Sequence, residues 1–60
     1  GNLAGLAISL VNQARIMAQK ENVAEARRLA QEADRLAMQY GLTGLAQQIT
    51  SIMQRLGGRI

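Results

Sequence analysis

The hydrophobic positions of the chain recur with α-helical spacing in three segments, which short polar or glycine-containing breaks separate. The segments are residues 3–20, 23–40 and 44–56. Polar residues 19–22 form the first break, and Gly41 and Gly44 bracket the second. Short breaks are typical of antiparallel neighbouring helices. The pattern therefore predicts one all-α domain, in which a helical hairpin is followed by a third helix.

The first segment is apolar around most of its circumference. Its main stripe follows four-three spacing and consists of Leu3, Ala7, Leu10, Ala14 and Met17. The stripe is widened by Leu6, Val11 and Ala18, and Ile8 and Ile16 lie outside it. Arg15 is the only charged residue before Lys20. Because a helix this apolar is usually covered on more than one side, we expect it to have more than one neighbour.

The second segment has a helix-start signal and a face of small residues. Asn22 can cap the first turn, and Glu25 completes a pattern that resembles a capping box. One face carries Val23, Ala26, Ala30, Ala33, Ala37 and Tyr40. The opposite side carries Arg28, Glu32 and Arg35 at spacings that allow ion pairs. Since alanine lets another backbone come close, we expect the alanine face to press against the first helix.

The third segment is predicted to begin with Thr43 as its N-cap and to end at Gly57. Its apolar stripe consists of Leu45, Ile49, Ile52 and Leu56. These four residues are the candidates for self-association, because the stripe could pack on the hairpin or on another copy of the chain. Residues 58–60 are expected to form a frayed tail.

The residue types exclude several classes of chemistry. The 60 residues include no Cys and no His, so disulfides, the usual zinc sites and the commonest general base are absent. The four carboxylates lie on or beside a single exposed helix, at Glu21, Glu25, Glu32 and Asp34. Carboxylates on a solvated helix rarely hold a metal. We therefore expect no enzymatic activity, no metal and no cofactor.

A short chain with a thin core favours association with another chain. A domain of this size buries only about 60% of the surface that its unfolded chain exposes, and Tyr40 is the only aromatic residue. We therefore expect either self-association or a place within a longer protein. The start, residues 1–3, has no initiator Met and no basic leader, which favours a piece of a longer chain. No apolar run reaches the roughly 20 residues of a membrane span, and we expect a cytoplasmic protein.

The net charge of +3 raises the alternative of nucleic-acid binding. Residues 36–43 have the small residue, the glycine and the apolar-Thr pair of a helix-turn-helix, which would make 43–56 the recognition helix. However, two positions of that helix that should be apolar are Gln47 and Thr50, and Arg55 is its only basic residue. DNA binding therefore remains the alternative, and we do not expect a nucleic-acid partner.

A short internal sequence repeat relates the first and third helices. Residues 5–7, Gly-Leu-Ala, recur as residues 44–46 at an offset of 39.

Residues 5–14 and 22–33 resemble the first and second helices of tetratricopeptide repeats (TPR), in the bacterial variety of roughly 40 residues found in signalling proteins. Ala14, Ala26 and Ala33 match the small packing positions of the family. The chain departs from the pattern at Gln13 and Ala30, and it lacks the proline that often ends a repeat.

The resemblance implies one complete hairpin followed by the first helix of a second unit. Since such units gain stability by stacking, it also implies a longer array or pairing with a second copy. The implied function is binding of a protein or peptide on the concave surface that first helices line. Carried over to this chain, the partner-binding candidates are Ile8, Val11, Asn12, Arg15 and Gln19. Two alternatives stay open. Ile8 and Val11 could pack on the third helix or on a second copy of the chain instead of on a partner. The whole chain could also be a dedicated dimerisation or docking bundle.

Overall fold

The computed structural model describes residues 3–57, which form three α-helices: α1 (Leu3–Gln19), α2 (Val23–Gln39) and α3 (Thr43–Gly57). Within these residues there is no β-strand, so the all-α prediction is confirmed. Each helix boundary lies within one residue of the boundary expected from the hydrophobic pattern. The tail expected at 58–60 lies outside the described residues.

The end of α2 is set by a glycine. Gly41 follows the helix with a φ of 66°, in the left-handed region that glycine adopts at little cost. The backbone amide of Leu42 then donates across the turn to the carbonyl of Ala37, at 2.8 Å. This bond and the left-handed residue make a Schellman-type helix end, which satisfies a carbonyl of the last turn.

The end of α1 has the same geometry without a glycine. Glu21 has a φ of 62°, and its amide donates to the carbonyl of Ala18 at 3.1 Å. The amide of Asn22 donates to the carbonyl of Met17 at 2.9 Å. A left-handed conformation costs a residue with a Cβ about 1–2 kcal/mol. The connection between α1 and α2 is therefore less favourable than the connection between α2 and α3.

Replacing Glu21 by glycine is expected to stabilise the fold by about 0.5–1 kcal/mol, because glycine removes the steric cost of the left-handed backbone. Urea denaturation followed by circular dichroism measures the change. Gly41→Ala is the matched control and should destabilise the chain by about 1 kcal/mol, since it introduces the same cost at the second turn. A loss of stability in Glu21→Gly would show that the glutamate side chain matters more than the backbone strain.

The structure contains one of the two hydrogen bonds that the capping-box pattern predicts at the start of α2. The Asn22 side chain accepts a hydrogen bond from the amide of Glu25 at 3.4 Å, so the N-cap prediction is confirmed. The amide of Asn22 is already bonded across the preceding turn. The Glu25 carboxylate instead accepts hydrogen bonds from Arg28. The second half of the predicted capping box is therefore absent.

At the start of α3 the predicted cap is wrong by one position. Thr43 is already the first helical residue, and the amide of Ala46 donates to the carbonyl of Leu42 at 2.9 Å. Leu42 therefore occupies the capping position. The turn around Gly41 is one residue shorter than a Thr43 cap would require, so the helix begins at Thr43 itself.

The core is centred on the alanine face of α2. Its fully buried residues there are Ala26, Ala30, Ala33 and Ala37. α1 adds Ala7, Leu10, Val11, Ala14 and Ala18 to the buried set. The contact between α1 and α2 is the most extensive in the fold. Small side chains on both helices allow this close approach, as the sequence pattern indicates.

The third helix supplies the larger side chains of the core. Ile49, Ile52 and Leu56 are buried against the hairpin, and Leu45 and Met53 are partly buried beside them. α3 packs more extensively on α2 than on α1. The hairpin is therefore covered by a helix of its own chain, and the edge between α1 and α3 is less tightly closed.

Candidate functional site

Four of the five partner-binding candidates lie on the surface of α1. Ile8, Asn12, Arg15 and Gln19 are exposed. Val11 is the exception, because its side chain is only 1% exposed and belongs to the core. It lies one turn from a buried alanine on either side and shares their direction. Val11 therefore acts in packing, and it is removed from the set of candidate binding residues.

The self-association candidates of α3 are placed mainly inside the chain. Ile49, Ile52 and Leu56 lie in the core, and only Leu45 is partly accessible. The stripe covers the hairpin of the same chain because α3 folds back on it. These three residues are therefore buried within their own chain in this conformation, and their role in self-association stays a prediction.

α1 and α3 lie side by side, and two open clefts follow the line between them. The first, called here the apolar cleft, has a volume of about 450 Å³. It is lined by Ala4, Ile8, Leu42, Thr43, Gly44, Leu45 and Gln48. Ile8 is half exposed, although it is a large aliphatic side chain. Among residues 3–57, the apolar cleft therefore leaves an apolar contact surface open to a partner.

The second cleft, called here the basic cleft, has a volume of about 200 Å³. It is lined by Arg15, Ala18, Gln48, Ser51, Ile52 and Arg55. Because Gln48 borders both clefts, they adjoin and form one surface, called here the α1–α3 groove. Residues from the first halves of α1 and α3 line one end of this groove, and residues nearer their C-termini line the other end.

A hydrogen bond connects the two walls of the basic cleft. Nη2 of Arg15 donates to Oε1 of Gln48 at 3.3 Å. This contact holds the guanidinium of α1 beside α3, and it engages the oxygen of the Gln48 amide. The NH₂ group of the same amide is then left to donate to another group. The cleft therefore presents several hydrogen-bond donors.

The charges of α2 are arranged differently from those of the groove. On the outer face of α2, Arg28 pairs with Glu25 and lies 3.9 Å from a carboxylate oxygen of Glu32. The hydrogen bond from Arg28 to Glu25 raises the pKa of Arg28 above its ordinary value. No carboxylate of residues 3–57 lines either cleft. Within the described part of the chain, Arg15 and Arg55 form no ion pair, so their charges are available to a ligand.

Three groove residues were missed by the sequence interpretation: Gln48, Ser51 and Arg55. They follow three-four spacing along α3, directly beside the apolar stripe. That spacing defines a polar stripe on one edge of the helix and could have been recognised. The sequence could not show that this edge faces α1, because helical periodicity does not determine which flank of a stripe meets a neighbouring helix.

Other kinds of site have no counterpart among residues 3–57. No group of three or more Asp, Glu, His or Cys residues is placed to hold a metal ion there. None of the three described helices has the length and apolar character required to cross a bilayer. Gln47 and Thr50 are exposed, and the Thr50 hydroxyl donates to the carbonyl of Ala46 at 3.0 Å. The two apolar packing positions of a helix-turn-helix are thus not formed.

Comparisons with protein-family models, with curated proteins and with solved structures found no match for the chain. The resemblance to TPR therefore depends on the sequence positions given above and stays a prediction.

Proposed function

We propose that this chain is a non-catalytic, TPR-like protein–protein interaction module, which binds an extended segment of a partner protein in the α1–α3 groove. The observation that carries the proposal is the groove itself. It lies between the two helices that the resemblance identifies as successive first helices. Two of the predicted contact positions, Ile8 and Arg15, line it. Asn12 and Gln19 are exposed on α1 but line neither cleft.

One end of the groove offers apolar contacts and the other offers hydrogen-bond donors, and peptide binding uses both. Binding energy comes mainly from apolar contacts, and a few polar groups fix orientation. Ile8 and Leu45 supply the apolar contacts at one end. Arg15 and Gln48 supply donors next to them. An extended segment lying along the groove could use both ends at once.

Selection of a random displayed peptide library against the isolated chain tests this proposal. We expect selected peptides to shift the amide NMR signals of residues that line the groove, including Ile8, Leu45 and Gln48. Arg15→Glu should weaken their binding by about tenfold or more, because it removes a donor and places a carboxylate in the cleft. The thermal midpoint should stay within about 2 °C, since Arg15 is exposed.

Arg35→Glu is the matched control, because it makes the same charge change on the exposed surface of α2. This variant should bind the selected peptides as the unmodified chain does, apart from a small uniform effect of net charge. If selected peptides instead shift signals on the outer face of α2, or if both variants weaken binding equally, the groove is not the binding surface.

A second candidate function is pairing with another copy or with a neighbouring repeat, and the exposed apolar side chains of α1 favour it. Leu3, Leu6 and Ile16 are each 41–50% exposed and line neither cleft. Leu3 and Leu6 are one turn apart on α1 and would contribute adjoining apolar side chains to such a surface. Sedimentation equilibrium tests self-association: a mass of two chains would support pairing, and a mass of one chain at high concentration would exclude it.

A further inference from the structure

We propose that the basic cleft binds a phosphorylated side chain of the partner segment. This inference rests on the proposed function, because it assigns the chemistry of one end of the same groove. The ligand is a phosphate monoester on an extended peptide, and an apolar side chain of that peptide occupies the apolar cleft.

The charge of the cleft matches a dianion. Arg15 and Arg55 both line it, and a guanidinium stays protonated at any physiological pH. A phosphorylated serine or threonine carries about −1.5 to −2 charges at neutral pH. A carboxylate carries one negative charge and would leave one of the two positive charges uncompensated. Among the described residues no carboxylate lines the cleft, so no anionic side chain of residues 3–57 competes there for the two arginines.

The donors of the cleft match the oxygens of a phosphate. The Arg15 side chain keeps Gln48 oriented with its amide oxygen engaged, so the NH₂ group of that amide can donate. Ser51 adds a hydroxyl on the same wall, one turn before Arg55. Three phosphate oxygens accept strong hydrogen bonds from such groups, and guanidinium pairs are among the strongest. The cleft presents donors on both of its walls, as a phosphate with three terminal oxygens requires.

The spacing of the two clefts predicts a sequence pattern in the partner. Ile8 and Arg15 are seven residues apart on α1, which corresponds to about 10 Å along the helix axis. An extended chain covers that length in about three residues. The preferred partner segment should therefore carry a large apolar side chain about three positions from the phosphorylated residue.

A peptide fits the groove better than a nucleic acid does, although both carry phosphates. Single-stranded nucleic acids are held by aromatic side chains that stack on bases together with a basic track along the backbone. Among residues 3–57, no aromatic side chain lines either cleft and two basic side chains do. The aliphatic end of the groove instead suits an apolar amino-acid side chain.

Fluorescence polarisation with defined peptides tests the inference. The probes are end-capped peptides with leucine three positions before or after phosphoserine, and their counterparts with serine or glutamate in place of phosphoserine. We expect one phosphorylated order to bind at least about tenfold tighter than both counterparts. Arg55→Gln should remove most of that preference, and Arg35→Gln should leave it unchanged. A short single-stranded oligonucleotide should bind more weakly than the preferred phosphopeptide.

The outcomes separate this inference from the proposed function. Equal binding of phosphoserine and glutamate peptides, with NMR shifts in the groove, would overturn the phosphate assignment and leave the groove as a peptide site. Oligonucleotide binding as tight as phosphopeptide binding would overturn the choice of a peptide partner. If neither these peptides nor the library-selected peptides shift groove signals, the proposed function itself fails.

Discussion

Replacing Ile49 by aspartate is expected to unfold the chain. The Ile49 side chain is 2% exposed and lies in the core that α3 forms over the hairpin. Burial of an unpaired carboxylate costs several kcal/mol, while a domain of this size has a total stability of only about 3–9 kcal/mol. Loss of α3 would also expose the apolar face of α1 and α2 that it covers. We therefore expect the helical circular dichroism signal to fall at 25 °C, a temperature at which the unmodified chain stays folded.

Gln47→Asp is the control for this substitution, because it introduces the same carboxylate at an exposed position of the same helix. Its thermal midpoint should change by only a few degrees. If Ile49→Asp keeps the helical signal and the midpoint of the unmodified chain, then α3 does not contribute to the core. In that case the groove described between α1 and α3 would not exist in solution.

Replacing Ala30 by leucine is expected to give the second large effect. Ala30 is 0% exposed, in the middle of the alanine face of α2. The added side chain has no space there unless the helices move apart. Overpacking of this kind typically costs about 1–3 kcal/mol, which corresponds to a fall of roughly 5–20 °C in the thermal midpoint of a small domain. Thermal denaturation followed by circular dichroism measures it.

Ala24→Leu is the matched control, since Ala24 is an exposed alanine on the same helix. Both alanine and leucine favour helix formation, so the intrinsic helix propensity changes little at either site. The difference between the two variants therefore reports close packing alone. Equal midpoints for Ala30→Leu and Ala24→Leu would contradict the close approach of the helices along the alanine face.

The helices and the packing face of α2 could be predicted from the sequence because they depend on local spacing. The small residues Ala26, Ala30 and Ala33 mark a face that tolerates close approach, and the structure buries all of them. Asn22 marks the start of α2 because its side chain bonds within the first turn. Such signals act over a few residues and need no knowledge of the tertiary arrangement.

The separation of core from groove could not be predicted, because it depends on where neighbouring helices lie. Both Ile8 and Val11 are sequence-based candidates for partner binding, although Val11 widens the main stripe of α1 and Ile8 lies outside it. In the structure Ile8 is half exposed in the apolar cleft and Val11 is buried. Gln48 and Arg55 were missed because the sequence does not show which side of α3 lies beside α1. In the structure their side of α3 lines the groove.

The exposed apolar surface lies mainly on α1, the helix that the sequence pattern expects to have more than one neighbour. The outer side of α3 is polar, with Gln47, Thr50 and Gln54 exposed. By contrast, α1 leaves Leu6 50% exposed and Ile16 46% exposed. A neighbouring repeat or a second copy would therefore gain more apolar contact at α1 than at the outer side of α3.

α3 packs on its own hairpin and forms a groove with α1. The most direct test is an isotope-filtered NOE measurement on a mixture of isotope-labelled and unlabelled chains, which separates contacts within a chain from contacts between chains. We predict that contacts between the Arg15 and Gln48 side chains, and between the Ile49 methyl groups and the alanine methyl groups of α2, arise within one chain. If these contacts appear only between labelled and unlabelled chains, α3 belongs to the hairpin of another copy and the account is contradicted.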